Sequence, residues 1–190
     1  MTVRATMADL ITRVRGLVGD PAGASQVFAD QDYQDALDQR RTDIVEVQLS
    51  FRPTMVGGGP VVQYRDYWAP FGNWEDGVLL KDASNVTVTP DSADLLHGHW
   101  TWTGGHLPPL FITGAFYDVY GSAAGLLDQW AGKVVMEFDF TADGQTFRRS
   151  QKREGLVALA NTYRRFAVQP GRRPLWRSDT WRLPVWGVEP

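Results

Sequence analysis

The sequence predicts an α+β fold: a small helical bundle core of about four helices, an antiparallel β insertion within it, and an extended C-terminal tail. Three observations carry this. Apolar residues recur at helical spacing towards both ends of the chain. Between them the period drops to two and turn signals multiply. Beyond Pro170 regular patterning stops, while Trp and Arg continue. The implied divisions are 1–44 (helical pair), 45–120 (β insertion), 121–168 (second helical pair, completing the core) and 169–190 (Arg/Trp-rich tail).

The first helix is expected to be capped by Thr6, with Asp9 three residues on as an acidic capping-box partner. Leu10, Ile11, Val14, Leu17 and Val18 form its apolar face, and Gly19-Asp20-Pro21 stops it. Asp30 is expected to cap a second helix with Asp32 and Asp35 in its first turn and Arg40 and Arg41 in its later turns, a polarity that matches the helix dipole. Its buried face is thin: Tyr33, Ala36, Leu37 and Ile44.

Val45, Val47, Leu49 and Phe51 then alternate with Glu46, Gln48, Ser50 and Arg52, as a half-buried strand requires. Pro53 and Gly57-Gly58-Gly59-Pro60 read as loop. Further strands are expected at Val61–Trp68, Val78–Leu80, Val86–Thr89, His99–Thr103 and Leu110–Tyr120. Turn signals at Asp76-Gly77, Pro90-Asp91, Gly104-Gly105 and Pro108-Pro109 divide them, Asp76-Gly77 reading as a hairpin turn.

The third helix begins near Ser122 and uses Leu126, Leu127, Trp130 and Val134. Gly125 and Gly132 each lower its propensity by roughly 1 kcal/mol relative to Ala, which predicts close packing by a neighbour. The fourth runs from about Ser150 to Val168, with Leu156, Leu159, Ala160, Tyr163 and Phe166 apolar and Arg153, Arg164 and Arg165 off that face.

The chain has 190 residues, enough for one domain with an elaborated insertion or two small domains. It has no cysteine, which excludes disulfides and thiolate metal sites. No apolar leader follows Met1 and no apolar run has membrane-spanning length, so neither secretion nor a membrane partner is expected. From Gln145 onward ten Lys/Arg face three acids, a charge of +7 that leaves −10 on the rest of a chain whose total is −3. Such polarity suggests an oriented partner surface.

Motifs for chemistry are weak. His97-Gly98-His99 with His106 offers three imidazoles, but its neighbours are Trp, Thr and Gly rather than orienting carboxylates. The acid pairs Glu75/Asp76 and Glu137/Asp139 are of the kind glycoside hydrolysis uses, yet with 22 acids such adjacency arises by chance. No nucleophile elbow, phosphate loop or dinucleotide fingerprint occurs. The expectation is a non-enzyme without cofactor or metal. The basic cluster at 148–153 with Arg164 and Arg165 is a candidate for phosphate contacts, opposed by the acidic body. Eight Trp are unusual. Trp68, Trp74, Trp100 and Trp102 permit a rival reading, a β-rich module with an exposed aromatic platform for carbohydrate or protein.

The strongest functional signal is the order of phrases: "ADLITRVRGLVGDPAG" with "VFADQDYQDALDQRR", then "LFITGAFYDVYGSAAGLLDQWAGK", then "FDFTADGQTFRRSQKREGLVALANTYRR" and "RRPLWRSDTWR". Helix, aromatic-acidic joint, basic run, amphipathic helix and Arg/Trp tail in this order resemble the head-to-tail connector (adaptor, head completion) proteins of tailed phages. The resemblance implies a structural protein of the virion neck, made in the host cytoplasm and assembled as a ring of about twelve copies beneath the portal. The ring would extend the DNA channel and give a platform to the stopper or tail. Implied partners are the portal protein, stopper or tail proteins, other copies of itself, and genomic DNA passing transiently through the lumen. Another phage tail structural protein is the nearest variant of this reading. In such rings the C-terminal segment engages the portal or a neighbour. Arg172, Arg173, Leu175, Trp176, Arg177, Trp181, Arg182 and Trp186 occupy that place, as anchors and carboxylate-pairing cations.

Overall fold

The computed structural model describes residues 2–55, 62–135, 140–142, 145–147 and 149–168. In chain order the elements are α1 (Ala8–Val18), α2 (Asp30–Asp38), β1 (Arg41–Gln48), β2 (Ser50–Met55), β3 (Val62–Trp68), β4 (Leu79–Asp82), β5 (Ser92–Asp94), β6 (His99–Thr101), β7 (Leu110–Tyr117), α3 (Val119–Val135), β8 (Phe140–Ala142), β9 (Gln145–Phe147) and α4 (Arg149–Arg164). The fold is α+β, with antiparallel sheets ordered β1–β7–β4 and β2–β3–β6–β5 and a separate β8–β9 hairpin.

A short 3-10 turn, Ala5–Met7, precedes α1 and takes in Thr6, which therefore caps nothing. Its hydroxyl donates instead to Glu75 Oε1 at 2.7 Å. Gly19 ends α1 as expected, at φ 72° with its N–H on the Arg15 carbonyl. Asp30 does not cap the second helix but is its first residue; Ala29 holds the cap position, its N–H bonded to Asp32 Oδ2 at 2.8 Å, and the helix stops earlier than its periodicity predicts. Arg41 and Ile44, expected in its last turns, lie in β1, where Arg41 pairs with Tyr117 and Ile44 with Gly114. Long-range pairing with β7 overrides the local helical pattern.

β1 also breaks the simple alternation. Its register with β7 slips between Ile44 and Val47, where Glu46 sits at φ 53°. The bulge turns Ile44 and Val47 towards the β core and leaves Val45 73% exposed. Leu49, fully buried and bonded through its N–H to Leu110 O, is the corner where the chain passes from one sheet into the other. Val86–Thr89 contributes only the bridge Lys81↔Thr87, while β5 forms beyond the Pro90-Asp91 turn signal. Asp76-Gly77 is not a hairpin turn. Trp74 bridges Phe116 and Leu79 pairs with Thr113, so the chain kinks there and continues along the same edge of β7.

β7 serves two cores. Leu110, Ile112 and Phe116 face the β core with Leu49, Tyr67, Trp74, Leu80, Trp100 and Trp102. Ala115 and Tyr117, on the opposite side of the pleat, join the helical core with α1, α2 and α3. Asp118 N-caps α3 through the Gly121 N–H at 2.9 Å, and a Cβ at Gly121 would collide with the Asp118 carboxylate. Among the described residues Gly125 and Gly132 meet no such neighbour: a Cβ on either would find none of their atoms within 4 Å, so the expected close packing does not come from them. α3 and α4 run antiparallel. Tyr120 lies by Tyr163 and Phe166 at one end, and Lys152 Nζ sits 5.0 Å over the Trp130 ring at the other.

Candidate assembly surface

The candidate partner residues Arg172, Arg173, Leu175, Trp176, Arg177, Trp181, Arg182 and Trp186 lie outside the described residues, as does the acid pair Glu137/Asp139.

The aromatic platform does not form. Trp74, Trp100 and Trp102 are buried, the first two against each other edge to face with ring centroids 6.1 Å apart. Trp74 Nε1 donates to Phe71 O and Trp102 Nε1 to Thr89 O, the partners that buried indoles seek. Trp68 is half-buried, with His99 stacked 4.9 Å from one ring face and the Arg52 guanidinium 5.6 Å from the ring centroid. These rings fill a core rather than present a sugar-stacking surface.

The histidines go to separate tasks. His97 Nδ1 lies 2.7 Å from Asp94 Oδ2 and His99 Nε2 lies 3.1 Å from Asp66 Oδ1, while His106 contacts the Leu107 carbonyl. Among the described residues no three His, Cys, Asp or Glu side chains gather to hold a metal.

Two polar hubs that the sequence did not single out join distant segments. Asp20 is 1% exposed and accepts from Val27 N–H, Phe28 N–H and the Tyr33 hydroxyl at 2.8–3.0 Å, with Arg15 3.8 Å away. Burial opposes its ionisation, but these donors and the Arg15 charge outweigh it and hold the carboxyl below the ordinary Asp range. The same hub pushes the Tyr33 phenol up, by burial first and then by its bond to Asp20. Glu75 accepts from Tyr117 Oη at 2.5 Å and from Thr6, with Arg4 Nε 3.3 Å away; Arg4 in turn reaches Asp38. Burial again works against ionisation, and the Tyr117 and Thr6 bonds with the Arg4 and Arg41 charges reverse it, so the Glu75 pKa is lowered. The only sequence signal was misread: Glu75 looked like half of an acid pair, and Asp20 like part of a helix stop. Both carboxylates are spent on holding the fold, and neither is poised as an acid or base.

Exposed apolar side chains remain on both units, among them Val45, Met55 and Leu107 of the β unit. Among the residues of α4 whose burial is described, only Ala160 is fully buried; Leu156 and Tyr163 pack against the helical core, and Tyr163 Oη donates to Leu17 O at 3.0 Å. Leu159 and Phe166, expected on the buried face, are 36% and 64% exposed. Leu159 falls on the flank of α4, beyond the stripe that Leu156, Ala160 and Tyr163 turn inwards, and Phe166 follows the end of the helix, its ring 5.7 Å from that of Tyr120. Arg153 and Arg165 are exposed, whereas Arg164 pairs with Asp128 and Lys152 lies on Trp130. On α2, Tyr33, Gln34 and Leu37 face inwards, and Asp32 and Asp35 face solvent. An open groove of about 480 Å³ beside β1 mixes both charges, with Arg4 and Arg41 against Asp43, Glu75 and Asp76. No described helix is long and apolar enough to cross a membrane. No protein-family model matches the chain, and no curated protein or solved structure is significantly similar to it.

Proposed function

We propose that this chain is a head-to-tail connector of a tailed phage: an adaptor that forms a ring beneath the portal, extends the DNA channel and receives the stopper or tail. The observation that carries the reading is the meeting of first and last helices in one core. Ala160 of α4 is buried among α1–α3 residues, Tyr163 bonds Leu17, and the β strands 41–117 are inserted between. That arrangement is the one the resemblance implies, a helical core with a β elaboration.

Charge and exposure support the same reading. A −10 body ending in a +7 C-terminal quarter is oriented for assembly, and α4 at the start of the basic part keeps apolar residues in solvent. An acidic body also suits a channel through which DNA slides without sticking. On this reading the Arg/Trp residues of 172–186 supply the contact to portal or neighbour.

The test is native mass spectrometry of the purified chain with the portal protein of its own phage. A portal-bound ring of about a dozen copies is expected, lost when residues 170–190 are deleted while the circular dichroism of the fold persists. A chain that ignores the portal at every concentration overturns the adaptor reading.

A further inference from the structure

We infer that the open groove beside β1 is the seat of this chain's own C-terminal segment 172–177, Trp176 being the anchor and the flanking Arg side chains pairing with the groove's acids. The inference goes beyond the adaptor reading: a portal or neighbour that takes this segment draws it out of the seat.

The argument begins with what the tail carries. Of the eight Trp, Trp68, Trp74, Trp100, Trp102 and Trp130 are buried or half-buried in the fold. The other three are Trp176, Trp181 and Trp186, in a segment 172–186 that sets four Arg against Asp179 alone. Indoles left in water invite association, so a basic segment with three of them calls for an acidic, partly apolar cover. The exposed apolar surfaces differ in charge. Leu159 stands on a helix that is basic like the tail, and Met55 and Val62 share their hairpin with Arg52 and Arg65 against Asp66. Both carry the tail's own sign and oppose its docking. Val45, 73% exposed, instead stands at the groove of about 480 Å³ with Asp43, Glu75 and Asp76.

The groove has the complementary charge. Arg4 reaches Asp38 and Glu75, and Arg41 Nη2 lies 2.8 Å from Asp43. With Asp76 these make four carboxylates against two cations, so the groove and its rim keep an excess of negative charge. The floor is β7 at Thr113-Gly114-Ala115, between β1 on one side and the chain at Glu75–Val78 on the other. Its small side chains leave room for an indole beside Val45. The chain also leaves the fold close by. Phe166 lies against Tyr120, three residues beyond Tyr117 at the end of β7. At about 3.3 Å per residue the stretch 169–176 spans up to roughly 25 Å, more than the run of β7 from Tyr117 back to Thr113. So short a tether holds the segment at an effective concentration on the order of millimolar, which favours its own groove over that of another copy.

The test is hydrogen exchange of the full chain, read by mass spectrometry at low ionic strength and at several protein concentrations. The amides of 172–177 are expected to exchange at least about tenfold more slowly than an unstructured chain, equally at every concentration. Two variants are expected to abolish that protection while keeping wild-type circular dichroism and unchanged exchange in α1 and β7. One is Val45→Lys with Asp76→Lys in the groove, the other Trp176→Ser in the tail. Asp76→Asn with Val45→Lys serves as a milder substitute, because Asp76 Oδ1 also accepts the Gly77 N–H. Wild-type amides of 172–177 exchanging at the unstructured rate overturn the seat. Protection that survives the groove variant places the segment elsewhere and overturns it too. Protection that fades on dilution assigns the contact to another copy and overturns the seat in the chain's own groove. A tail protected by the groove on a chain that ignores the portal sustains the seat and overturns the adaptor reading instead.

Discussion

The two cores of this molecule are made of different material. Of the sixteen buried residues in the helical core three are aromatic, and alanines at 115, 123, 124 and 160 let the elements approach closely. Of the nine in the β core five are aromatic: Tyr67, Trp74, Trp100, Trp102 and Phe116. A large ring touches many neighbours and fixes strands that pair over only three residues, as β5 and β6 do. Alanine contacts hold a helix in place with much less buried area per residue. The contrast concerns the interior: large apolar side chains stay exposed on both units, Val45, Met55, Val86 and Leu107 on the β unit and Leu159 on α4 with Phe166 just beyond it.

The contrast is broken most severely at Trp100. Trp100→Ala should destabilise the protein by about 3–5 kcal/mol, since it empties the centre of an aromatic cluster. Because β7 contributes Phe116 to one core and Ala115 and Tyr117 to the other, the loss should lower a single unfolding transition seen by both near-UV and far-UV circular dichroism. Two separated transitions, with the helical signal surviving at the wild-type midpoint, would show that the shared strand does not couple the cores.

A smaller effect is expected at the junction between the two units, where Glu75 ties β-unit backbone to Thr6, Arg4 and Tyr117. Glu75→Gln should cost about 1.5–3 kcal/mol, the range for hydrogen bonds to a charged group. Its pH dependence has a definite sign. The folded pKa is lowered, so the contribution is fully present above the unfolded value near 4.3 and fades as pH falls through the folded one. Urea midpoints measured from pH 7 down to pH 3 should therefore fall less steeply in the Gln variant than in the wild type. Equal slopes would remove Glu75 from the acid response and leave Asp20 as the stronger candidate.

The same contrast marks what was legible. Helices were readable because α1 and α3 show their buried faces at fixed local spacing, as Leu10, Val14 and Val18 do. The β unit was readable in kind but not in detail. Nothing around Val45-Glu46 announces a bulge, since it arises from the register that β7 imposes. Arg41 and Ile44 fitted a helical period until a partner strand 70 residues away claimed them. The Trp residues were read as a possible platform because sequence shows ring chemistry but not which side of a pleat closes against another sheet. Glu75 and Asp20 were invisible as hubs because their donors, Tyr117 and Tyr33 among them, come together only in the fold.

The smallest effect should come from the open face of α4, and its smallness is the point. Leu159→Ser with Phe166→Ser removes two large apolar side chains from a helix, a change that inside either core would cost several kcal/mol. Here Leu159 is 36% and Phe166 64% exposed; Phe166 gives up its tilted contact with Tyr120, while the inward contacts of Leu156, Ala160 and Tyr163 are untouched. The thermal midpoint of the dilute monomer should therefore stay near wild type, a change of about 1 kcal/mol or less. If instead the double variant unfolds as readily as a core variant, these two side chains belong to the protein's own interior. A monomer of unchanged stability whose self-association is weakened would place those two side chains at the contact between copies, where burial is supplied by a neighbour.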